Sequence, residues 1–316
     1  MIATEDLQLA NAWQRGFPLV PRPFAEIGAR CGLSEAQVIE GYRELQARGI
    51  VDRIGPVFRP NTVGASTLAA MAVPPDRLAE VGALVSSQPG VNHNYERDHP
   101  FNLWFVATGS TEADVARAIC AIEEAAGIKV LRLPLLEEFH IDLGFDLEDR
   151  SVPRTAPAKA EALALSAGER VFLSRVSSGL PLAPRPYGAL GVAEDEAIAM
   201  LRRWLERGAI RRIGAVVRHR AIGYRANAMV AWDVPEERVA PLGRRLATDP
   251  LVTLCYHRAR ALPDWPYNLY CMVHGRERAR VTYEIKRLSV AHGLGRFPRA
   301  VLFSNRCFSQ RAARYG

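Results

Sequence analysis

The chain repeats itself, and this constrains its fold more than any other feature. GFPLVPRPF at Gly16 returns as GLPLAPRPY at Gly179 with six identities in nine residues, and RIGPV at Arg53 returns as RIGAV at Arg212. A third pair is longer. VNHNYERDHPFNLWFVATG (91–109) and VTLCYHRARALPDWPYNLYCMVHG (252–275) match Tyr95 to Tyr256, Arg97 to Arg258, and Phe101-Asn102-Leu103-Trp104 to Tyr267-Asn268-Leu269-Tyr270. Three blocks recurring in the same order mark an internal duplication, so the 316 residues read as two copies of one module.

Each copy has two parts. In the first, Phe24 to Ala29 is a short amphipathic segment, Cys31-Gly32-Leu33-Ser34 is a turn with Ser34 as N-cap, and Glu35 to Arg48 is a second helix ending at Gly49. Helix, glycine-containing turn and helix predict a helix-turn-helix, and Ile50 to Phe58 predicts its wing. Beyond the hinge Arg59-Pro60-Asn61 the pattern reads strand Thr67–Val73, helix Pro75–Ser86, strands Val91–Arg97 and Asn102–Thr108, helix Thr111–Ala125 and strand Ile128–Phe139. That is βαββαβ, the ferredoxin-like order. The second copy repeats it as Ala226–Val234, Pro235–Ala247, the 252–275 hairpin, Arg276–His292 and Phe297–Arg306. The predicted fold class is α+β, a tandem duplication of a winged helix-turn-helix subdomain plus a ferredoxin-like subdomain. Its expected units are 1–60, 61–150, a Pro- and Ala-rich linker at 151–160, then 161–220 and 221–316, forming one pseudo-dimer.

Charge divides the copies. Residues 1–157 hold 14 basic and 21 acidic side chains, and the remainder holds 27 and 13, so net charges of −7 and +14 make up the total of +7. Arginine supplies 38 of the 41 basic residues, and its planar fork suits carboxylates and phosphates. Five cysteines without a C-x-x-C argue against a disulfide framework or zinc site and predict reduced thiols in a cytoplasmic protein. The acidic start, Met-Ile-Ala-Thr-Glu-Asp, is unlike a secretory signal, and no apolar run approaches the roughly 18 residues of a membrane helix.

The 252–275 hairpin concentrates the polar chemistry. Strand alternation puts Val252, Leu254 and Tyr256 on one side and Thr253, Cys255 and His257 on the other; in the second run Leu269, Cys271 and Val273 oppose Asn268, Tyr270, Met272 and His274. With the apolar side on a core, His257 and His274 are expected to meet on the open face. His93 shares the parity of Val91, which favours a half-buried structural role. Asn102 and Asn268 suit loop caps, and Cys255 and Cys271 suit small buried hydrophobes.

A helix-turn-helix followed by a ferredoxin-like domain resembles the Lrp/AsnC family of transcription regulators, whose second domain dimerises and senses small molecules. That resemblance implies a DNA-binding regulator. The residues oppose it: the first recognition helix offers Glu35, Gln37, Glu40 and Arg43, and the second opens with Glu194-Asp195-Glu196. Carboxylates there repel the phosphate backbone that dominates DNA affinity. The helix-turn-helix units are therefore expected to be scaffold.

HNYERDHPFNLWFV with FHIDLGFDL in the first half, and LCYHRARALPDWPYNLYCMVHG in the second, are similar to the siroheme decarboxylases, Lrp-like proteins of heme d1 biosynthesis with relatives in an alternative heme pathway. The first half resembles their D-type subunit and the second their L-type subunit, over nearly the whole chain. One departure is Phe101, where the family more often carries tyrosine. The resemblance implies non-oxidative loss of two acetate carboxyl groups, on rings C and D of siroheme, to give didecarboxysiroheme. It implies no cofactor or metal beyond the iron of the substrate. Rival readings are a DNA-binding regulator and a non-catalytic tetrapyrrole-binding protein.

On that reading a general acid must protonate the carbon that loses carbon dioxide, while cations hold the other carboxylates. Candidate acids are His257, His274, His93 and His99, with His257 or His274 alternatively ligating the siroheme iron. Candidate substrate contacts are Arg258, Arg260, Tyr256, Tyr267, Asn268, Tyr95, Arg97, Arg212 and His140, the last beside Asp142. Arg53, in the repeated R-I-G element, either reaches the ligand or joins subdomains. His292, at a helix end, suits a dipole contact, and His219 suits a solvated linker. Two diverged copies suggest one competent pocket, and a further homodimer is an option the sequence leaves open.

Overall fold

The computed structural model describes residues 9–141, 160–218 and 220–315. The linker expected at 151–160 lies almost wholly outside the described residues, as do His219 and Asp142. The first copy runs α1 (Pro23–Cys31), α2 (Glu35–Ala47), β1 (Val51–Phe58), β2 (Ala65–Met71), α3 (Leu78–Ser87), β3 (Val91–Arg97), β4 (Leu103–Gly109), α4 (Glu112–Ala126) and β5 (Val130–Ile141). The second runs α5 (Ala167–Ser177), α6 (Glu194–Glu206), β6 (Ile210–Val217), β7 (Ala226–Trp232), α7 (Glu236–Leu246), β8 (Val252–Arg258), β9 (Leu269–Gly275), α8 (Arg278–Ala291) and β10 (Arg299–Gln310).

Local chemistry sets the helix ends. Ser34 and Gln37 form a reciprocal capping box at the start of α2, Thr111 and Asp114 do so at α4, and Ser166 and Glu169 at α5. Gly32 and Gly127 end their helices in the left-handed conformation.

The two helix-turn-helix units share one hydrophobic core, in which Phe17, Phe24 and Tyr42 of the first copy join Phe172, Tyr187 and Trp204 of the second. The wings β1 and β6 pair antiparallel with Gly55 opposite Gly214. Glycine is required at 214 because a Cβ there would lie 2.2 Å from the carbonyl oxygen of Trp13. The recognition helices are occupied. Arg22 pairs with Glu35 and Arg185 with Glu194, tying each Pro-rich arm to the first turn of the recognition helix of its own copy. Arg43 of α2 donates to the Leu182 carbonyl (3.1 Å), and Arg202 of α6 donates to that of Leu19 (3.3 Å). Each recognition helix therefore holds the other copy's arm.

The ferredoxin-like halves do not stay separate. Their strands close into one eight-stranded barrel in the order β10-β3-β4-β2-β5-β8-β9-β7. The long strands β5 and β10 make this possible, since 12 residues span about 40 Å, enough for two successive partners. β5 pairs through Pro134 with β2 and from Leu135 with β8. β10 pairs through Phe303 with β7 and from Ser304 with β3. Closure leaves no edge strand and gives every strand two covered faces. The outer faces carry the helices over two cores, one around Val91, Phe105 and Ile119 and one around Val252, Cys271 and Leu288. The inner faces enclose Leu68, Trp104, Met229, Tyr256, Tyr270 and Met272. Among the described residues no helix is long and apolar enough to cross a membrane.

Candidate functional site

An eight-stranded barrel is just wide enough to be filled by side chains or to hold one small ligand, and this barrel does each at one end. Its hairpin-loop end is packed. Trp265, from the longer second loop, is 1% exposed and lies edge-on to Trp104 (5.0 Å), Tyr267 (4.8 Å), His99 (5.3 Å) and Phe101 (5.9 Å). Its Nε1 donates to Tyr270 Oη at 2.6 Å. Toward the wings the inward residues are small or polar, among them Ser66, Asn227 and Ser304, and a cavity of about 280 Å³ opens. A second, of about 220 Å³, adjoins it beneath β1 and β6, and His93, Val106, Ile141 and Gln310 line both.

Both hairpins face this lumen. The register Tyr95↔Trp104 and Tyr256↔Tyr270 turns each tyrosine inward, and two residues on in each strand an arginine follows, Arg97 over Tyr95 at 5.8 Å and Arg258 over Tyr256 at 4.6 Å. Bulges between Val91 and His93, and between Val252 and Leu254, shift the pleat. The parity expected for His93 is thereby overturned: Val91 packs under the helices and His93 enters the lumen. His274, at the end of β9, lines the same lumen, with Nδ1 2.9 Å from Thr253 Oγ1. Each half thus supplies one imidazole, from different strands.

The expected meeting of His257 with His274 does not occur. His257 pairs with Leu269 on the helix-covered face, and its Nε2 is 3.1 Å from Glu236 Oε1 of α7. The reason is that neither face of the hairpin is open: the lumen takes the Leu254, Tyr256 and Arg258 side, and the helices take Cys255 and His257. His99 also lies outside the cavity walls, its Nδ1 accepting from the Phe101 amide at 3.0 Å. His140, on β5, pairs with Cys255 and lines neither cavity. Burial lowers the pKa of His257 and of His99, opposed by Glu236 and by Asp98 respectively.

Arg260 is likewise outside. It donates to Asp233 (2.8 Å), Glu236 (3.0 Å) and the carbonyls of Val234 (2.6 Å) and Pro266 (2.7 Å), clamping the second loop to the start of α7. Asn268 is fully buried and brackets Val234, accepting from its amide and donating to its carbonyl at 3.0 Å each. Asn102 does the same to Val73 at 3.0 and 2.8 Å. Tyr267 packs on Trp265 and does not line either cavity. Cys255 and Cys271 are buried, and burial pushes the Cys271 thiol up.

The electrostatics of the lumen are one-sided. Arg97, Arg220 and Arg258 line the larger cavity and Arg53, Arg212 and Arg311 the smaller, against one carboxylate, Asp52, among the described residues. Asp52 is itself held by Arg53 (2.9 Å) and Arg218. Arg97 and Arg258 instead donate to neutral oxygens, those of Leu302 and Ser304 (3.1 Å each) and of Leu133 (2.8 Å). Buried Nε groups of Arg53, Arg97 and Arg258, and Nη1 of Arg220, lack a hydrogen-bond partner among the described residues. Burial brings Arg97 down to about 10, and burial reinforced by Arg53 brings His93 down to about 4. Burial also raises Tyr95 and Tyr256. Desolvated guanidinium donors that so outnumber their anions call for a ligand rich in carboxylate or phosphate. Among the described residues no cluster of three or more His, Cys, Asp or Glu is placed to hold a metal. Sequence reasoning missed Arg220, Arg311 and Trp265. Only Arg220, in a run of basic residues, carried a signal.

Fold and lumen together define a fused double module of the Lrp/AsnC type whose barrel encloses an arginine-rich anion site. Family models agree: an AsnC-like ligand binding domain matches residues 63–140 and 221–309, and a siroheme decarboxylase NirDL-like HTH domain matches 6–51 and 169–211. The siroheme decarboxylase NirDL subunit of Paracoccus denitrificans is 46% identical over 98% of this chain and 96% of its own. A crystal structure of the siroheme decarboxylase NirDL superposes with a TM-score of 0.70 at 29% identity, covering 99% of this chain and 94% of that one. A second, of NirDL in co-complex with an iron-uroporphyrin III analogue, gives 0.68 at 29% identity, covering 98% and 93%. The chain belongs to the siroheme decarboxylase family, in its fused NirDL form.

Proposed function

We propose that this chain converts siroheme to didecarboxysiroheme inside the barrel, removing the acetate carboxyl groups on rings C and D, and that His93 and His274 supply the protons. The observation that carries the reading is the lumen itself, in which the described residues set six arginines against one carboxylate with one imidazole from each half. Siroheme brings eight carboxylates on an apolar macrocycle. Arg97, Arg258 and Arg220 hold those that stay, and the aliphatic wall of Leu68, Val106, Met229, Leu254 and Met272 receives the ring.

Each decarboxylation breaks the bond between the acetate methylene and its carboxyl carbon. Carbon dioxide leaves, the electron pair stays on the methylene and delocalises into the macrocycle, and one proton then completes a methyl group. No electrons are exchanged, so the step calls for no redox partner and for no cofactor besides the substrate. A reacting carboxylate paired with arginine would be stabilised in the ground state, so it belongs against the apolar wall with an imidazole in reach. The contact of His257 with Glu236 of α7 supports giving the donor role to the lumen histidines instead. The Thr253 hydroxyl orients the His274 ring.

The test is anaerobic incubation with siroheme, followed by mass spectrometry of the extracted tetrapyrrole. The expected product has lost two carbon dioxide units. His93→Gln and His274→Gln are expected to bind siroheme but turn it over about 10²- to 10⁴-fold more slowly, the usual contribution of a general acid. Siroheme that binds and returns unchanged from the wild-type chain would make this a carrier. The DNA-binding reading is disfavoured by recognition helices that hold the opposite Pro-rich arms.

A further inference from the structure

The resting lumen keeps its first imidazole in the wrong state to donate a proton. His93 sits where the two cavities adjoin. The ionisable groups sharing those walls are Asp52 and Arg53 of β1, Tyr95 of its own strand (stacked on it at 6.3 Å), Arg212 of β6, and Arg311 and Tyr315 after β10. The larger cavity adds Arg97, Arg220, Tyr256, Arg258 and His274, while β2, β4 and β5 contribute no charged side chain to either. The single carboxylate among the described residues of those walls, Asp52, is engaged by Arg53 and Arg218. Burial and Arg53 therefore both favour the neutral ring, and the pKa falls to about 4. At neutral pH that ring lacks the second, acidic proton of the imidazolium.

The polycarboxylate substrate reverses this field. Its carboxylates draw the guanidinium charge to themselves and place negative charge beside the imidazole, which favours the imidazolium. Resting on the assignment of the lumen to siroheme, we propose that substrate binding is coupled to uptake of one proton by His93, so that the acid is loaded only when substrate fills the barrel. The proton for the first methyl group then enters with the substrate.

The sign is fixed by linkage. A group protonated in the complex and neutral in the free protein makes affinity fall as pH rises between its free and bound pKa values, up to tenfold per pH unit. Isothermal titration of the full chain with iron uroporphyrin, itself an octacarboxylate, at pH 7 in buffers of different ionisation enthalpy counts the protons directly. The wild-type chain is expected to take up one proton more than His93→Gln, which should still bind. If that variant does not fold, ¹⁵N imidazole signals of the labelled wild-type chain titrated with diamagnetic zinc uroporphyrin decide, and one ring must pass from neutral to imidazolium. Binding without uptake, uptake that survives His93→Gln, or imidazole signals that stay neutral would each overturn the coupling and leave the siroheme reading intact. No binding at all would overturn that reading instead.

Discussion

Two arginines two residues apart in sequence are expected to fail in opposite ways. Arg258 lies over the Tyr256 ring at 4.6 Å, donates to the Leu133 carbonyl at 2.8 Å, and has a buried Nε without a partner. Arg258→Met keeps most of the volume and the ring contact but removes the charge. Charge-assisted hydrogen bonds contribute about 1.5–3 kcal/mol, so affinity for iron uroporphyrin should fall roughly 10- to 150-fold. Stability should change by less than about 1 kcal/mol, because one lost carbonyl bond is offset by relief of a desolvated charge.

Arg260 makes four bonds, two of them to carboxylates whose side chains are 36% and 63% exposed. Water can replace the arginine at those carboxylates, so Arg260→Met is expected to cost about 2 kcal/mol rather than a full buried pair. It should lower the melting temperature by several degrees and leave affinity at the wild-type value. Fluorescence-quenching titration and scanning calorimetry on both variants read the two effects separately. An affinity loss in Arg260→Met at unchanged melting temperature, or unchanged affinity in Arg258→Met, would refute the division between lumen and clamp.

His257→Ala, on the helix-covered face, should convert siroheme at the wild-type rate in the mass-spectrometric assay; a loss as deep as that of His274→Gln would mean the β8 pleat is inverted. Trp265→Ala removes the plug of the packed end and its bond to Tyr270, and should destabilise the chain by about 3–5 kcal/mol in a urea melt. A loss below about 1 kcal/mol would show that the hairpin loop does not close the barrel.

The module and its duplication were legible because they rest on local signals. The capping residue Ser34, the glycine turns and the alternation of β9 each need only neighbouring residues, and each element formed near its expected place. Barrel closure was not legible. It depends on β5 and β10 running far enough to leave their own sheet and join the other copy's, and nothing in LLEEFHI or SNRCFSQ names a partner strand. Once the sheet closes, a strand has no solvent face, so the argument that placed His257 and His274 together loses its premise. Bulges completed the change at His93, because a single extra residue moves every later side chain to the opposite face.

The charge split between the copies has a structural counterpart. Of the six lumen arginines, Arg212, Arg220, Arg258 and Arg311 come from the basic half and only Arg53 and Arg97 from the acidic one. The arrangement also gives the wings a part in the chemistry. Arg53 and Arg212 stand at equivalent positions of the two R-I-G elements and both reach the smaller cavity, because β1 and β6 pair across its roof. The winged helix-turn-helix, whose recognition helices hold each other's arms, places its paired wings over the smaller cavity. Its wings bring to that end Arg53, which adds to burial in lowering the His93 pKa, and Asp52, which opposes both, so the helix-turn-helix unit helps set the field around His93 in the domain below.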